Sequence, residues 1–361
     1  MDFGIFNLMS LRDNPGGVGG VIRDTEIMVR TAEDVGFATA WFAEHHFTNY
    51  SICVSPLMLA ARMSGLAQKI KMGAAVVVLP LYHPMRVAQE IALLDQMTGG
   101  RAVLGIGSGY QPYEFIRYGH DVKEKNDIFL EYWEIVEQAL TEGRVRFEGK
   151  YISVPETVVT ARPVQKPLPQ IYVTSVDPRI LKRLAKFDPI PFMTAGANGT
   201  KRLYELAANG ASAWAAAGLK EPMPFALQQY IHVTDSKTEA LEAADRARFV
   251  LRVGGALRDP DMAIEGTFIQ EKPAPNEASL ETYRDNVIIG DPHHVAERVV
   301  AEIRHLNPIH YNTFFQFGDM PIERSRRALE RFGRDVMPLI EKELGPLADI
   351  GRNGSGLAKA S

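Results

Sequence analysis

The sequence contains very little cysteine: Cys53 is the single one among 361 residues. One cysteine cannot form an intramolecular disulfide, which favours a reducing compartment, so we expect a cytoplasmic protein. Long apolar runs are also missing, since none approaches the roughly 20 residues that a membrane-spanning helix requires. The N-terminal residues 1–6 lack the basic start of a signal peptide. These absences predict a protein without a membrane span.

Basic residues are not in excess either. The chain carries 40 Lys and Arg against 44 Asp and Glu, which gives a net charge of -4. Non-specific nucleic-acid binding depends on clustered cations that release counterions, and this sequence shows no such cluster. With 46% hydrophobic and 23% charged residues, the composition is that of an ordinary globular protein. We therefore expect small-molecule partners and no nucleic acid.

Several familiar motifs are absent, among them His-Glu-x-x-His, Cys-x-x-Cys and the Gly-x-x-x-x-Gly-Lys phosphate loop. Glu44, His45 and His46 are consecutive, but neighbours on a strand point to opposite faces, so we expect no metal site there. The glycines of residues 105–109 resemble part of a dinucleotide fingerprint. Tyr110, however, stands where the third glycine belongs. The sequence therefore gives only a weak dinucleotide signal and no metal signal.

The chain does contain eight short apolar segments that alternate with patterns of helical period. This rhythm, without a break in composition, favours one α/β domain, a (β/α)8 TIM barrel with insertions, over a doubly wound sheet. We expect that domain to span residues 1–345, with an insertion or lid at about 257–286 and a flexible tail at 346–361. The predicted strands are Phe3–Met9, Ala38–Ala43, Met72–Leu79, Ala102–Ile106, Ile171–Thr174, Pro191–Met193, Phe225–Val233 and Tyr311–Phe317.

Glu44, His45 and His46 follow the second predicted strand directly. Catalytic groups of TIM barrels lie at the C-terminal ends of strands, and histidine transfers protons near neutral pH. A histidine at a strand end is also commonly a hydrogen-bonded structural group. We predict His45 and Glu44 as catalytic residues, and we expect His46 to face away from the site.

Small and hydroxyl residues follow the fourth and fifth predicted strands. Glycines let a ligand approach the backbone closely, while hydroxyls and amides can bind an anion. Either turn alone could be a tight turn with a capping hydroxyl. Together they predict a site for a phosphorylated cofactor. Its candidate residues are Gly107, Ser108, Gly109, Tyr110, Thr174, Ser175 and Val176.

Over nearly its whole length, apart from the tail, the chain resembles the bacterial luciferase-like flavin-dependent monooxygenases. No single stretch is specific, but their combination is. The matching stretches are Ala40–Phe47, Gly73–Pro80 with His83-Pro84, Leu93–Met97 with Gly100-Arg101, Gly105–Tyr110 and Gly290–Pro292.

The resemblance implies a barrel that binds reduced FMN at its C-terminal mouth, with His45 beside the flavin. It implies a monooxygenase that inserts one oxygen atom from O2 into a small hydrophobic substrate through a C4a-peroxyflavin. An NAD(P)H:flavin reductase would supply the FMNH2, and the enzyme would be a homodimer. A non-prolyl cis peptide at Ala74-Ala75 would lie against the flavin. Gly107 and Ser108 replace the cysteine and the phosphate-binding arginine of light-emitting relatives, so we expect no light emission.

Two alternatives remain open. A deazaflavin-dependent oxidoreductase could transfer hydride without oxygen on a related barrel, although such relatives generally lack the full Glu-His-His segment. A non-catalytic flavin-binding protein could also use the same fold. Aromatic residues near strand ends, among them Phe47 and Tyr82, indicate an apolar cavity but do not identify the substrate.

Overall fold

In the computed structural model, which describes residues 1–259, 262–273 and 275–351, eight parallel strands close into a barrel. The barrel strands are β1 (Asp2–Asn7), β2 (Thr39–Phe42), β3 (Lys71–Val78), β4 (Ala102–Gly107), β7 (Ile171–Val173), β8 (Ile190–Thr194), β9 (Ala226–Val233) and β13 (His310–Phe314). Their order around the barrel is β9-β13-β1-β2-β3-β4-β7-β8, and β8 pairs with β9 to complete the circle.

Within the described residues, five further strands lie outside the barrel circle. Two of them form the excursion hairpin, β5 (Arg144–Glu148) and β6 (Ser153–Val158), and two form a short hairpin in the insertion, β10 (Ile264–Glu265) and β11 (Phe268–Ile269). The fifth, β12 (Ile288–Gly290), pairs with the end of β9. The predicted tail after residue 351 lies outside the described residues.

Helices pack around the barrel and connect its strands. Within the described ranges, none of them is long and apolar enough to cross a membrane. They are α1 (Gly17–Asp34), α2 (Pro56–Ser64), α3 (Pro84–Met97), α4 (Pro112–Arg117), α5 (Lys125–Thr141), α6 (Pro178–Leu184), α7 (Gly199–Ala216), α8 (Lys237–Ala256), α9 (Leu280–Asn286), α10 (Pro292–Leu306), α11 (Ile322–Arg331) and α12 (Met337–Leu344), with a π-helical turn at Phe332–Val336 between the last two.

The predicted (β/α)8 fold is confirmed, and each predicted strand overlaps one barrel strand. Ser55-Pro56 and Asp291-Pro292 predict the starts of α2 and α10, and both starts are confirmed, since Ser55 and Asp291 accept hydrogen bonds from the first-turn amides. The sequence also predicts a Gly-rich loop at residues 14–20 and Asp24 as the cap of α1, and this start is wrong. The glycines of residues 16–20 belong to the helix start, and a Cβ on Gly20 would lie 2.1 Å from Asn14 Oδ1. Those glycines permit close packing and do not mark a loop.

Side chains fill the lower part of the barrel interior. Trp41 Nε1 donates to His310 Nε2 at 2.9 Å, and the rings of Tyr172 and Phe192 pack on the same indole. A Cβ on Gly73 would lie 2.4 Å from that indole, so glycine is required there for packing. Because this layer closes the barrel below, a ligand site is left at the C-terminal ends of the strands.

Candidate active site

The third strand is irregular where it reaches the mouth. Ala74 pairs with Leu104, but Val77 pairs with Ile106, so three steps along β3 face two along β4. The non-prolyl cis peptide lies here, between Ala75 and Val76. Its predicted position at Ala74-Ala75 was wrong by one residue. The Ala74 carbonyl is directed at Gly105 of the neighbouring strand β4. A Cβ on Gly105 would lie 2.0 Å from that oxygen, so no side chain fits there.

Glu44 is fully enclosed behind the second strand. Its carboxylate accepts hydrogen bonds from the Val78 amide at 3.1 Å and the Tyr82 hydroxyl at 2.9 Å, and it lies 2.9 Å from His46 Nε2. Burial raises the pKa of Glu44, and the hydrogen bond to His46 opposes that rise. These contacts tie the segment after β2 to the end of β3. They give Glu44 a positioning role, and its catalytic role stays a prediction.

His45 contacts an acidic residue that the sequence analysis did not single out. Its Nδ1 lies 2.9 Å from Glu114 Oε1, and the same oxygen accepts the His46 backbone N–H at 2.9 Å. Since that oxygen already acts as an acceptor, the His45 hydrogen sits on Nδ1 and Nε2 is left for other chemistry. A carboxylate that orients an imidazole in this way is a common feature of acid-base sites.

Glu114 comes from the first turn of α4, directly after the loop that follows β4. An acidic residue two positions after Pro112 is a visible signal for a helix start. The sequence does not say that this turn folds back onto the segment after β2. The contact joins the segments that follow β2 and β4, two strand ends that we predicted to lie at the same mouth of the barrel.

His46 has both ring nitrogens occupied. Nε2 faces Glu44, and Nδ1 lies 3.0 Å from the hydroxyl of Tyr118. The side chain is 5% exposed. This is the geometry of a structural histidine, as we expected for this position.

Two tyrosine rings pack against His45 on the side of the mouth. The Tyr50 ring packs edge-on against the imidazole with centroids 4.6 Å apart, and the Tyr110 ring does so at 6.0 Å. Burial raises the pKa of Tyr50, of Tyr110 and of Tyr230, a buried tyrosine of β9. All three phenols therefore keep their protons at neutral pH.

The predicted phosphate loops meet at the next two strand ends. A Cβ on Gly107 would lie 2.5 Å from Thr174 Oγ1, so the loops after β4 and β7 are in contact. Ser108 is nearly buried, and Gly109 has a φ of +75° that favours glycine. Ser175 Oγ accepts from the Asp177 amide at 3.1 Å, and Val176 is exposed. The structure thus brings these candidates together, while their ligand roles stay predictions.

A cation that the sequence analysis missed lies beside these loops. Lys125, at the first position of α5, donates from Nζ to the Gly109 carbonyl at 2.7 Å. Burial lowers the pKa of Lys125, and no carboxylate among the described residues opposes that shift. The helix N-terminus adds a partial positive charge. Asn126 also binds Asp177 at 2.9 Å, so the start of α5 holds both loops.

Comparison with known proteins agrees with this geometry. Residues 1–306 match the family model described as luciferase-like monooxygenase. An uncharacterized protein of Sinorhizobium fredii is 33% identical over 347 residues, which cover 96% of this chain and 99% of that protein. The chain belongs to the luciferase-like monooxygenase family. It is a flavin-dependent monooxygenase.

Other members of this family show how far the likeness extends. The oxygenase component of the flavin-dependent trigonelline monooxygenase of Acinetobacter baylyi is 26% identical over 318 residues, which cover 86% of this chain and 88% of that protein.

Among the described residues, no group of three or more His, Cys, Asp or Glu side chains could hold a metal ion.

Solved structures share the fold. The monooxygenase RslO1 of Streptomyces bottropensis has a TM-score of 0.79 at 19% identity and covers 94% of this chain and 99% of that chain. The oxygenating constituent of 3,6-diketocamphane monooxygenase of Pseudomonas putida, in complex with FMN, has a TM-score of 0.72 at 22% identity, with coverage of 94% and 98%. An F420-dependent secondary alcohol dehydrogenase has a TM-score of 0.66 at 16% identity, with coverage of 94% and 98%. At these identities the likeness extends to the fold alone.

Proposed function

We propose that this family member is the oxygenase component of a two-component system. It takes reduced FMN and O2 and inserts one oxygen atom into a small hydrophobic organic substrate. The observation that carries the proposal is the His45–Glu114 pair at 2.9 Å, next to loops that have an uncompensated lysine beside them. An oriented imidazole and an anion site at one mouth suit a phosphorylated flavin.

The residues at the mouth fit FMN. Lys125, the Ser108 hydroxyl and the turn at residues 174–176 would hold the phosphate. The Lys125 ammonium is half-buried and has no carboxylate partner within the described part of the chain, so it favours an anion. Ala74 and Ala75 lie on the irregular part of β3, and their small side chains would leave room for the flat ring system. Gly107 lets the Thr174 hydroxyl approach the backbone of β4 closely.

His45 would act as hydrogen-bond partner and acid-base group beside the flavin. Reduced flavin, when bound, supplies the two electrons that activate O2. The His45 Nδ1–H donates to Glu114, so that Nε2 can accept or return a proton. The Tyr50 ring shields one side of the imidazole from water.

An NAD(P)H:flavin reductase would supply the FMNH2. The named oxygenase component among the relatives supports this arrangement. The test combines the protein, FMN, NADH, a flavin reductase and 18O2 with a panel of hydrophobic ketones, aldehydes and sulfides. Mass spectrometry should detect one added 18O atom, and His45→Ala should abolish the product while FMN binding is kept. Wild-type product formation by His45→Ala would overturn the role of His45.

Hydride transfer with a deazaflavin is the second candidate, because F420-dependent enzymes share the fold. The same assay separates the two functions. A deazaflavin enzyme would oxidise or reduce its substrate without O2 and would add no 18O. A non-catalytic flavin-binding protein would bind FMN and yield neither product.

We further propose a homodimer through α2 and α3. Four apolar side chains on or beside these neighbouring helices are exposed, and Met58 is 70% exposed. Such a patch is typical of a covered interface. Met58→Glu combined with Leu93→Glu should yield a monomer in light scattering, whereas Val158→Glu on the excursion hairpin should not. A wild-type monomer would contradict the proposal.

The insertion would form a lid of the single domain. Asn49 lies three residues after His46. Its backbone N–H donates to the Thr267 carbonyl at 3.0 Å, and its side-chain Oδ1 accepts from the Ile269 backbone N–H at 2.9 Å. Arg252 of α8 binds Glu271 and Glu277 of the same insertion. The insertion therefore rests directly on the loop that carries His45.

We propose that the enzyme works in the cytoplasm, where its one cysteine stays reduced.

A further inference from the structure

The loop from His45 to Cys53 is closed at its base. The His45 backbone N–H donates to the Cys53 carbonyl at 3.1 Å, so the chain leaves the mouth of the barrel and returns beside its starting point. Asn49 lies midway along this loop and is 3% exposed. Because the loop begins at His45, whatever holds Asn49 also restrains the backbone that presents the imidazole.

Asn49 is held from two sides. On one side its carbonyl accepts from the Leu11 N–H and its side-chain amide donates to the Leu11 carbonyl, both at 3.0 Å. On the other side its backbone N–H donates to the Thr267 carbonyl at 3.0 Å, and its Oδ1 accepts from the Ile269 N–H at 2.9 Å. Two of these four hydrogen bonds come from the insertion and are lost if the insertion moves away.

Tyr50, the next residue, connects Asn49 to the imidazole. Its ring packs edge-on against His45 with centroids 4.6 Å apart. A Cβ on Gly254 would lie 3.1 Å from Tyr50 Cε2 and 3.3 Å from the hydroxyl oxygen. Gly254 belongs to the last turn of α8, the helix that leads into the insertion. Tyr50 therefore contacts both His45 and the element on which the insertion is mounted.

Glu271 binds the insertion to two other elements. Its carboxylate lies 3.0 Å from Arg12 Nη2, in the loop after β1, and 2.9 Å from Arg252 Nη1 of α8. Arg12 also pairs with Asp245, and Arg252 also pairs with Glu277. Both arginines therefore keep a carboxylate partner when the Glu271 charge is removed. Glu271→Gln loosens the insertion without leaving a buried charge unpaired.

We propose that Asn49 and Tyr50 are positioning residues that make the orientation of His45 depend on the insertion. The insertion fixes Asn49, Asn49 fixes the backbone of Tyr50, and the Tyr50 ring restricts the imidazole whose Nδ1 faces Glu114. The acid-base role of His45 comes from the proposed function, whereas its positioning by the insertion does not depend on that role. Since coupling between two sites is reciprocal, a ligand that binds against His45 should also hold the insertion more tightly.

Nitrogen-15 spectra of the histidine rings test this positioning without turnover. The His45 signals, assigned by their loss in His45→Gln, should shift or broaden in Asn49→Ala and in Glu271→Gln. The signals of His310, which bonds Trp41 in the lower layer of the barrel, should stay in place. Hydrogen exchange of residues 263–272 should become about fivefold faster in Asn49→Ala, the equivalent of one neutral hydrogen bond, and about twofold to fivefold faster in Glu271→Gln.

Two neighbouring glycines of α8 provide a matched pair of variants. A methyl group on Gly254 would meet the Tyr50 ring, whereas the space beside Gly255 is open among the described residues. Alanine favours the helix equally at both positions, so Gly255→Ala controls for the change in helix stability. Gly254→Ala should displace the Tyr50 ring by a few tenths of an ångström and shift the His45 signals. Gly255→Ala should leave those signals unchanged.

Turnover adds the catalytic measurement, with the panel compound that gains most 18O in the wild type. Asn49→Ala, Glu271→Gln and Gly254→Ala should release more hydrogen peroxide and less oxygenated product per NADH, while FMN affinity is kept. Raised ionic strength should reproduce this effect in the wild type and act less on Glu271→Gln, because salt screens a partly exposed ion pair. Glu90→Gln, which removes a surface pair with Arg86 at 2.8 Å, is the charge-matched control and should change neither yield.

Several outcomes would overturn the proposal. Faster exchange in the insertion with unchanged His45 signals would show that the two are not coupled, and equal behaviour of Gly254→Ala and Gly255→Ala would remove Tyr50. Shifted His45 signals with an unchanged ratio of product to peroxide would remove the positioning from the reaction. Failure of the function looks different: if the His45 signals move as expected while no panel compound gains 18O in the wild type, the positioning stands and the monooxygenase proposal fails.

Discussion

Replacing Glu114 by glutamine isolates one charge in the candidate site. His45 Nδ1 and the His46 amide both lie 2.9 Å from the same oxygen, Oε1. A glutamine amide has one oxygen, which can accept both hydrogen bonds in the same geometry. The substitution therefore removes the negative charge and little else.

The expected loss follows from the strength of that charge. A hydrogen bond to a charged group contributes about 1.5 to 3 kcal/mol, so Glu114→Gln should lower kcat/KM by about tenfold to 150-fold. Reductase-coupled assays should show reduced flavin still oxidised by O2, with hydrogen peroxide released in place of oxygenated product. FMN affinity should stay within about threefold, which is less than the loss of a single neutral hydrogen bond can cause.

Glu114→Ala provides the structural comparison. It leaves the buried His46 N–H without an acceptor, which should lower the free energy of unfolding by about 1 to 3 kcal/mol more than glutamine does. Denaturant titration measures this difference. Fully coupled turnover by Glu114→Gln would refute the reasoning, because the charge on Oε1 would then have no part in the reaction.

Three more predictions concern charge and binding. Lys125→Met should weaken the binding of FMN about tenfold or more but leave the binding of riboflavin, which has no phosphate, unchanged. Since burial lowers the pKa of Lys125, FMN affinity should also fall as pH rises through that lowered value. Equal losses for both flavins in calorimetry would show that the lysine does not face the phosphate. Ser108→Ala should weaken FMN measurably, and unchanged affinity would remove Ser108 from the site. Burial lowers the pKa of His310 to about 3, so between that pH and about 6.5 the unfolded chain binds a proton that the folded chain does not. The free energy of unfolding should therefore fall by up to about 1.4 kcal/mol per pH unit as pH drops through this window. His310→Gln should flatten that slope in denaturant titrations, and an unchanged slope would contradict the assignment.

The sequence predicts those features that depend on local pattern. The eight strands follow from apolar runs between helical repeats, and the starts of α2 and α10 follow from Ser55 and Asp291 with the prolines after them. The position of His45 after β2 also follows from local order. These predictions succeed because strand, helix and cap signals lie within a few residues of one another.

The features that the sequence does not predict depend on contacts between distant segments. Glu114 reaches His45 across 69 residues, and Lys125 reaches Gly109 across 16, each through a helix start that looks ordinary in the sequence. The cis peptide lies at Ala75-Val76, where β3 has an extra residue relative to β4, and that register depends on both strands. A site formed at the mouth of a barrel draws its residues from separate strand ends, so the strand order can be predicted while the partners of each side chain cannot.

The same reasoning explains why Glu44 and His45 differ although they are neighbours. Alternation along the chain sends Glu44 behind the segment, where Val78, Tyr82 and His46 surround its carboxylate, and sends His45 toward the mouth. The buried carboxylate holds the backbone that presents the imidazole, while Glu114 from another strand end orients the ring. Two carboxylates thus support one histidine from opposite sides. Of the two carboxylates, Glu114 is the one that contacts the ring of His45. Glu114→Gln should therefore change catalysis directly, whereas a change at Glu44 should act first on the fold of the segment.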